Sequence, residues 1–466
     1  MTVPEWVQDS IFYQIFPDRF CNGSVENDPK NVHSWSAMPT ISGFQGGDIR
    51  GIIERVYYLM DLGVNAIYLN PIFLSPSNHR YNAVDYYQID PKLGTKTEFL
   101  SLLDIAHRNN MKIILDGVFN HCGRGFFAFN DILENQASSP YLNWFHVRKF
   151  PVDAYSPGEA TSYEGWWKYK SLPKFNTSNP DVRKYLLDVA RFWVEKGIDG
   201  WRLDVPNEID DDSFWLDFRN IIKKVNSEAY LLGEIWDGNP RWVGEGHFDG
   251  LMNYPVRTSL VDLLTGKSKV SKFSKDIVAA IYKYPHENSY AMYGLLGSHD
   301  TERFLTVING DLDKAKFAYL FMMTYPGAPA IYYGDEIGLL GKADPDCRRT
   351  FPWDETNWNT DLRYWIKKLI WLRKERISLR RGDLKVLHCE DGSGALAYTR
   401  TENHETTVVV LNASGSRAQI NVDMSAMGFP EGSILRNLIT FEEYTVDKQG
   451  ISVSLGHWSG LMLARK

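Results

Sequence analysis

The stretch 200–208 of this chain reads GWRLDVPNE. An amphipathic segment, 181–196, precedes it, with Asn179-Pro180 at its start and Gly197 behind it. These are helix start and stop signals. Residues 198–204 are mostly apolar, as a buried strand would be. Side chains two apart on a strand share a face, so Arg202 and Asp204 lie together at the strand's C-terminal end. An arginine there holds its neighbour ionised, which suits a carboxylate nucleophile. The same pair also fits a structural ion pair.

Other residues of the same kind end other short apolar runs. Asp116 and His121 follow one, Glu234 another, and His299 with Asp300 a third. Cleavage of a glycosidic bond by a carboxylate pair needs one ionised nucleophile and one protonated acid. Asp204 beside Arg202 fits the first role. Glu234 lies between Leu231-Leu232-Gly233 and Ile235-Trp236, an apolar setting that raises a carboxyl pKa and keeps its proton on. Asp300 is placed to stabilise a cationic transition state electrostatically.

These residues need a scaffold that brings strand ends to one place. Strands are expected at 11–16, 64–69, 112–116, 198–204, 229–234, 250–252, 291–296 and 330–332. Between them, Asp48 can cap a helix running to about residue 62, and Thr95 with Glu98 makes a capping box for a helix to about residue 109. Segments 181–196 and 212–226 read as further helices. Strand and helix alternate as a closed parallel (β/α)8 TIM barrel requires, and catalytic groups in such barrels come from the C-terminal strand ends. No Gly-rich phosphate loop follows any strand, which argues against a doubly wound open sheet. The barrel is expected to occupy 1–121 and 176–383. Residues 122–175 read as a loop-rich, aromatic insertion domain over the barrel mouth, without a clear α/β unit. Beyond about residue 384 short alternating strands predict a C-terminal antiparallel β-sandwich, 384–466. The loop at 22–28 (NGSVEND), with Gly46-Gly47-Asp48, groups oxygen-bearing residues that suit Ca²⁺ and, equally, ordinary turns. Trp166-Trp167 and Trp353 read mainly as core, and Arg380-Arg381 as a solvated face.

The net charge of −7 and the lack of a long basic run exclude nucleic acid and anionic membranes as expected partners. Phe, Trp and Tyr make up 14% of the chain, an excess that suits stacking on the flat rings of a neutral ligand such as a sugar. Four scattered cysteines, no basic-then-apolar leader and no apolar run of membrane-spanning length give the expectation of a soluble, cytoplasmic protein.

The motifs DGVFNH (116–121), GWRLDVPNE (200–208), GEIW (233–236) and GSHDTE (297–302) resemble the four main sequence regions of the α-amylase family, family 13 of the glycoside hydrolases. The resemblance implies Asp204 as nucleophile, Glu234 as general acid/base and Asp300 as transition-state stabiliser. It implies that His121, Arg202 and His299 contact the sugar at subsite −1, with Tyr81 stacked on it. SLPKF (171–175), LLGSHDTER and the run from IYYGDEIG to FPWD are similar to the branch holding neopullulanases, cyclomaltodextrinases and maltogenic amylases. Asp344 and Arg348 then match a substrate-binding pair, and Trp236 an aromatic residue of the plus-side subsites. The expected substrates are α-1,4-linked, and also α-1,6-linked, glucans: maltooligosaccharides, cyclodextrins, pullulan or starch. Exo-acting α-glucosidase or transglycosylase activity is the alternative on the same scaffold, and a non-catalytic sugar-binding barrel a remote one.

The chemistry implied needs no cofactor. The branch's structural Ca²⁺ loop maps onto Asn22, Asn27, Asp28, Gly46 and Asp48, with Ser24 where an aspartate is usual, which weakens the site. The branch also carries an N-terminal β-domain that builds its dimer and narrows its cleft. Here the first barrel strand comes almost at once, which bears on oligomeric state and on preference for small cyclic substrates.

Overall fold

The computed structural model describes residues 3–424 and 429–466. Eight parallel strands form the barrel: Phe12–Ile15, Ala66–Leu69, Lys112–Gly117, Gly200–Leu203, Tyr230–Gly233, Gly250–Leu251, Tyr293–Leu295 and Ala328–Tyr332. They pair in the order sixth, fifth, fourth, third, second, first, eighth, seventh. A parallel bridge between Met252 and Tyr293 joins the sixth strand to the seventh and closes the hoop. Each expected strand is present within a few residues of its expected ends.

The period of the strands explains both core and site. Register places Phe12 beside Ala66 and Ala330, and Ile114 beside Gly200. Phe12, Ala66, Tyr68, Ile114, Tyr230, Leu232, Tyr293 and Ala330 fill the interior as one buried cluster. Gly200 fits there because a Cβ would fall 2.2 Å from the Tyr230 carbonyl oxygen. Two residues further along, the inward-facing column turns polar: Gln14, Asp116, Arg202 and, at the rim, Asp204 and Glu234. A strand sends every second side chain to the same face, so the apolar plug and the polar rim are consecutive layers of one pattern.

The helices begin where side-chain caps predict. Asp48 accepts from the Gly51 amide at 2.6 Å, and the Thr95–Glu98 capping box is complete. Asn179 caps Pro180–Glu195, and Asp211 caps Asp212–Val225. The single helix expected after Asp48 is instead two, Ile49–Glu54 and Val56–Leu62, broken at Arg55, whose φ and ψ are −105° and 8°. Arg55 crosses over the Trp353 ring at 4.0 Å.

The insertion, expected to be loop-rich, also carries regular structure. It holds a helix, Phe127–Asn135, which starts at Phe126 without a side-chain cap and is fixed by burying Ala128, Phe129 and Ile132. A short bridge, His121 with Lys174, ties the far end of the insertion to the third strand's exit, and a second, Gly165 with Pro173, closes the insertion on itself.

The C-terminal region is a six-stranded antiparallel sheet with a two-stranded layer, Ala418–Val422 and Ile451–Leu455, laid against it. Ala395, Ala397, Val408, Val410, Leu461 and Leu463 pack with that second layer. The alternate residues Leu396, Tyr398, Val409, Leu411 and Met462 belong to the main core cluster with the barrel's helices. The central strands of the sheet, Ala395–Glu402 and Glu405–Asn412, are therefore largely buried on both faces. Arg380 and Arg381, expected to be a solvated face, instead both bind Asp9, at 2.8 and 2.7 Å, and so link the end of the barrel to its beginning. Among the described residues, no helix is long and apolar enough to cross a membrane. All four cysteines are free thiols.

Candidate active site

Arg202 is the centre of the site. It is fully buried on the fourth strand, and its guanidinium meets four carboxylates. Nη1 lies 3.0 Å from Asp116 Oδ1 and 2.9 Å from Asp204 Oδ1, while Nη2 lies 2.9 Å from Glu234 Oε1 and 4.0 Å from Asp300 Oδ2. Glu234 also accepts from the Val205 amide at 3.1 Å and from Trp236 Nε1 at 3.2 Å. Val205 holds φ at +36°, a strained value for a β-branched residue, and that turn is what presents its N–H to Glu234.

One guanidinium is shared by three buried carboxylates and the more open Asp300, so it offsets only part of the cost of burying their charges. Burial raises the Asp204 pKa well above the usual range. Arg202 opposes this, and Glu234, Asp116 and Asp300 add to it. Arg202 thus favours the ionised form of Asp204 as its place on the strand suggests, but burial works against it. Glu234 is also raised, first by burial, with Arg202 pulling the other way. Asp300 goes down. Burial pushes it up, but His299, Arg348 and Arg202 outweigh that. Its side chain is still 31% open, at the cleft floor.

Hydrogen bonds among their neighbours hold the remaining groups in place. Gln14 Nε2 stands 2.8 Å from His299 Nδ1 and donates to it, which leaves the proton on Nε2, 2.5 Å from Tyr81 Oη and 3.0 Å from Asp300 Oδ2. Tyr81 Oη donates to Asp116 at 2.8 Å and accepts from Asn70 at 3.1 Å, and its ring lies parallel to that of His299. Tyr68 Oη donates to Asp116 at 2.5 Å. His121 is buried, and burial holds its pKa down to about 3, so it stays neutral. Its Nδ1 faces Asn120 and its Nε2 has no protein partner, an open hydrogen-bonding position for a hydroxyl. Arg348 reaches both Asp344 (3.1 Å) and Asp300 (3.5 Å) and donates to the His299 carbonyl at 3.0 Å. Trp236, 50% exposed, stacks on Tyr254 with ring centroids 3.8 Å apart.

All ten expected catalytic and substrate residues thus line one barrel mouth. Sequence reasoning missed Gln14, Tyr68, Asn70, Val205 and Tyr254. Gln14 and Asn70 each left a signal: a lone amide at or just after an otherwise apolar strand.

The calcium set divides. Asn22 Nδ2 donates to both Asp28 oxygens, at 2.9 and 3.1 Å, and Asn22 Oδ1 is buried without a partner. Gly46 has φ +85°, and a Cβ there would fall 2.3 Å from Asp28 Oδ1. These three form a cradle that suits an oxygen-seeking cation. Asp48 is already engaged by the amides of Gly23, Ser24 and Gly51, and Asn27 turns its amide group towards it. Among the described residues no three His, Cys, Asp or Glu gather as a metal cluster, so a cation here would rely on amide and carbonyl oxygens as well as Asp28.

Comparison with known proteins agrees with this geometry. The family described as "Alpha amylase, catalytic domain" matches residues 14–381. The chain is 42% identical over 464 residues to a cyclomaltodextrinase of Geobacillus thermopakistaniensis, covering 99% of this chain and 78% of that protein. It is equally similar, 42% over 466 residues with the same coverage, to Neopullulanase 2 of Thermoactinomyces vulgaris. Among solved structures, a cyclic α-maltosyl-(1→6)-maltose hydrolase from Arthrobacter globiformis superposes with a TM-score of 0.91 at 37% identity, over 100% of both chains. A (β/α)8 barrel whose strand ends gather four carboxylates on one arginine, matched in sequence and shape along its length, places this chain in the α-amylase family of glycoside hydrolases.

Proposed function

We propose that the protein hydrolyses α-1,4 and α-1,6 glucosidic bonds in maltooligosaccharides, cyclodextrins and pullulan by double displacement. The observation that carries this is the single Arg202 guanidinium touching Asp204 and Glu234 at 2.9 Å each, with Asp300 at 4.0 Å.

Asp204 attacks the anomeric carbon as the bond to the leaving oxygen breaks and Glu234 passes its proton to that oxygen. Glu234, now ionised, takes a proton from water, whose oxygen attacks the same carbon and releases Asp204. Configuration is retained. Asp300, held ionised, faces the cationic transition state, and His121 and His299 bind hydroxyls of the reacting sugar. In the substrate-free site burial pushes both Asp204 and Glu234 up. A sugar placed between the two settles a proton on Glu234, next to the leaving oxygen.

The Arthrobacter globiformis relative, whose name gives a cyclic substrate with 1→6 linkages, aligns over 100% of both chains. That supports cyclic and α-1,6-linked substrates, on which the sequence left doubt. The loop of Asn22 and Asp28 beside Gly46 is proposed to hold a structural Ca²⁺ that takes no part in bond cleavage. Free thiols favour a cytoplasmic location.

The test is a product profile over time on β-cyclodextrin, pullulan, soluble starch and maltotriose, with the anomer read by NMR. Ring opening of β-cyclodextrin with products released as the α-anomer is expected. Glucose release from maltotriose with β-cyclodextrin untouched would replace this reading with an exo-acting α-glucosidase.

A further inference from the structure

Trp166 and Trp167, expected as core, have different fates. Trp166 is largely covered, whereas Trp167 is 72% exposed. Three rings run in a row here. The His121 imidazole is 5.4 Å from Trp166 at an interplanar angle of 23°, and Trp167 lies 4.7 Å beyond at 10°. The inner ring belongs to the mouth of the barrel, where His121 Nε2 faces the substrate region without a protein partner. The outer ring turns a flat apolar face to water.

That exposure is costly to maintain. Trp167 and Lys168 hold φ at +46° and +63°, in the left-handed region that bulky residues avoid. Such a residue is strained and persists only where its surroundings enforce it. Here they do. The Ala160 amide donates to the Lys168 carbonyl at 2.8 Å, and a Cβ on Gly165 would fall 2.4 Å from the Tyr169 carbonyl oxygen, so the turn is pinned on both sides. Stacking on Trp166 then fixes the plane of the ring. Core packing accounts for neither the strain nor the open face. A rigid indole face with little ordering entropy left to lose is what an aromatic binding platform requires.

We propose that the outer face of Trp167 is a glucosyl subsite remote from the cleaved bond, on which a sugar unit of an extended α-glucan chain stacks. This rests on the reading of the protein as an α-glucan hydrolase. The residue binds and takes no part in bond cleavage. Tyr169, 54% exposed and 6.4 Å from Trp166, widens the same surface.

The test compares maltotriose with maltoheptaose in the wild type, Trp167→Ala and Trp167→Phe. Trp167→Ala is expected to raise KM for maltoheptaose about tenfold with kcat kept, to change maltotriose by less than about twofold, and to be largely rescued by Trp167→Phe. In a Glu234→Gln background, calorimetric binding of maltoheptaose should weaken by the same factor when Trp167→Ala is added. An unchanged KM for maltoheptaose, or equal losses on both sugars, would overturn the subsite while leaving the hydrolase reading intact. A wild type that cleaves neither sugar would instead remove the hydrolase reading itself.

Discussion

Four carboxylates around one guanidinium set the behaviour of individual residues. Asp204→Asn removes the attacking oxygen, and a loss of at least about 10³-fold in kcat is expected from steady-state rates on maltotriose. Glu234→Gln removes the proton donor and should cost about 10²–10⁴-fold. The active form carries one proton on the Asp204–Glu234 pair, so kcat/KM is bell-shaped, with both limbs above those of exposed carboxyls because burial raises both groups. On an aryl glycoside, whose leaving group needs little protonation, Glu234→Gln should flatten the alkaline limb and leave the acid one. A stability effect of opposite sign accompanies the loss of rate. A carboxyl whose pKa is higher folded than unfolded binds more protons in the folded state, so its presence costs stability as pH rises from the unfolded pKa through the folded one. Asp204→Asn should therefore raise the Tm, by about 2 °C for each kcal/mol relieved. Thermal melts should show a larger gain at pH 8 than at pH 5, and an equal gain at both would contradict the charge argument.

At the scale of elements, one close backbone approach lies where the sixth strand meets the segment leading into the seventh. A Cβ on Gly250 would sit 2.1 Å from the Ala291 carbonyl oxygen, whereas one on Gly392 would meet nothing within 4 Å. Urea unfolding should find Gly250→Ala destabilised by about 1–3 kcal/mol or more and Gly392→Ala within about 0.5 kcal/mol of the parent. The cradle at Asn22, Asp28 and Gly46 makes a second prediction at this scale. Chelator should lower the Tm of the parent, and Asp28→Asn should start lower and lose most of that sensitivity. Strands and helices were legible in the sequence because buried runs, the Thr95–Glu98 box and the Asn179-Pro180 cap each act locally. The helix Phe127–Asn135 was not, since it has no cap and owes its form to aromatic partners far along the chain. The triad was legible from strand ends. The sharing of Arg202 among four acids was not, because register between strands, not spacing within one, brings Asp116 and Glu234 to it.

For the whole molecule, the C-terminal sheet decides cooperativity. Leu396, Tyr398, Val409, Leu411 and Met462 are continuous with the barrel's core, and Arg400 donates to the carbonyls of Gly382 and Thr324 at 2.8 and 2.5 Å. A chain ending at Gly382 would bare that surface and should be recovered as aggregate, while the full chain should unfold in one calorimetric transition. Two separable transitions would show that the sheet is an independent unit. The closing bridge of the barrel has a consequence of a different kind. Across it Asn253 donates to the Tyr293 carbonyl at 2.9 Å, but the Leu251 amide finds the Met292 sulfur at 3.2 Å. A thioether is a weak acceptor, so this joint is held less firmly than the peptide-to-peptide ladders around the rest of the hoop. In deuterated solvent, amides of the sixth strand should exchange before those of the first to fifth, with the cylinder opening like a clasp bracelet at the Met252–Tyr293 link.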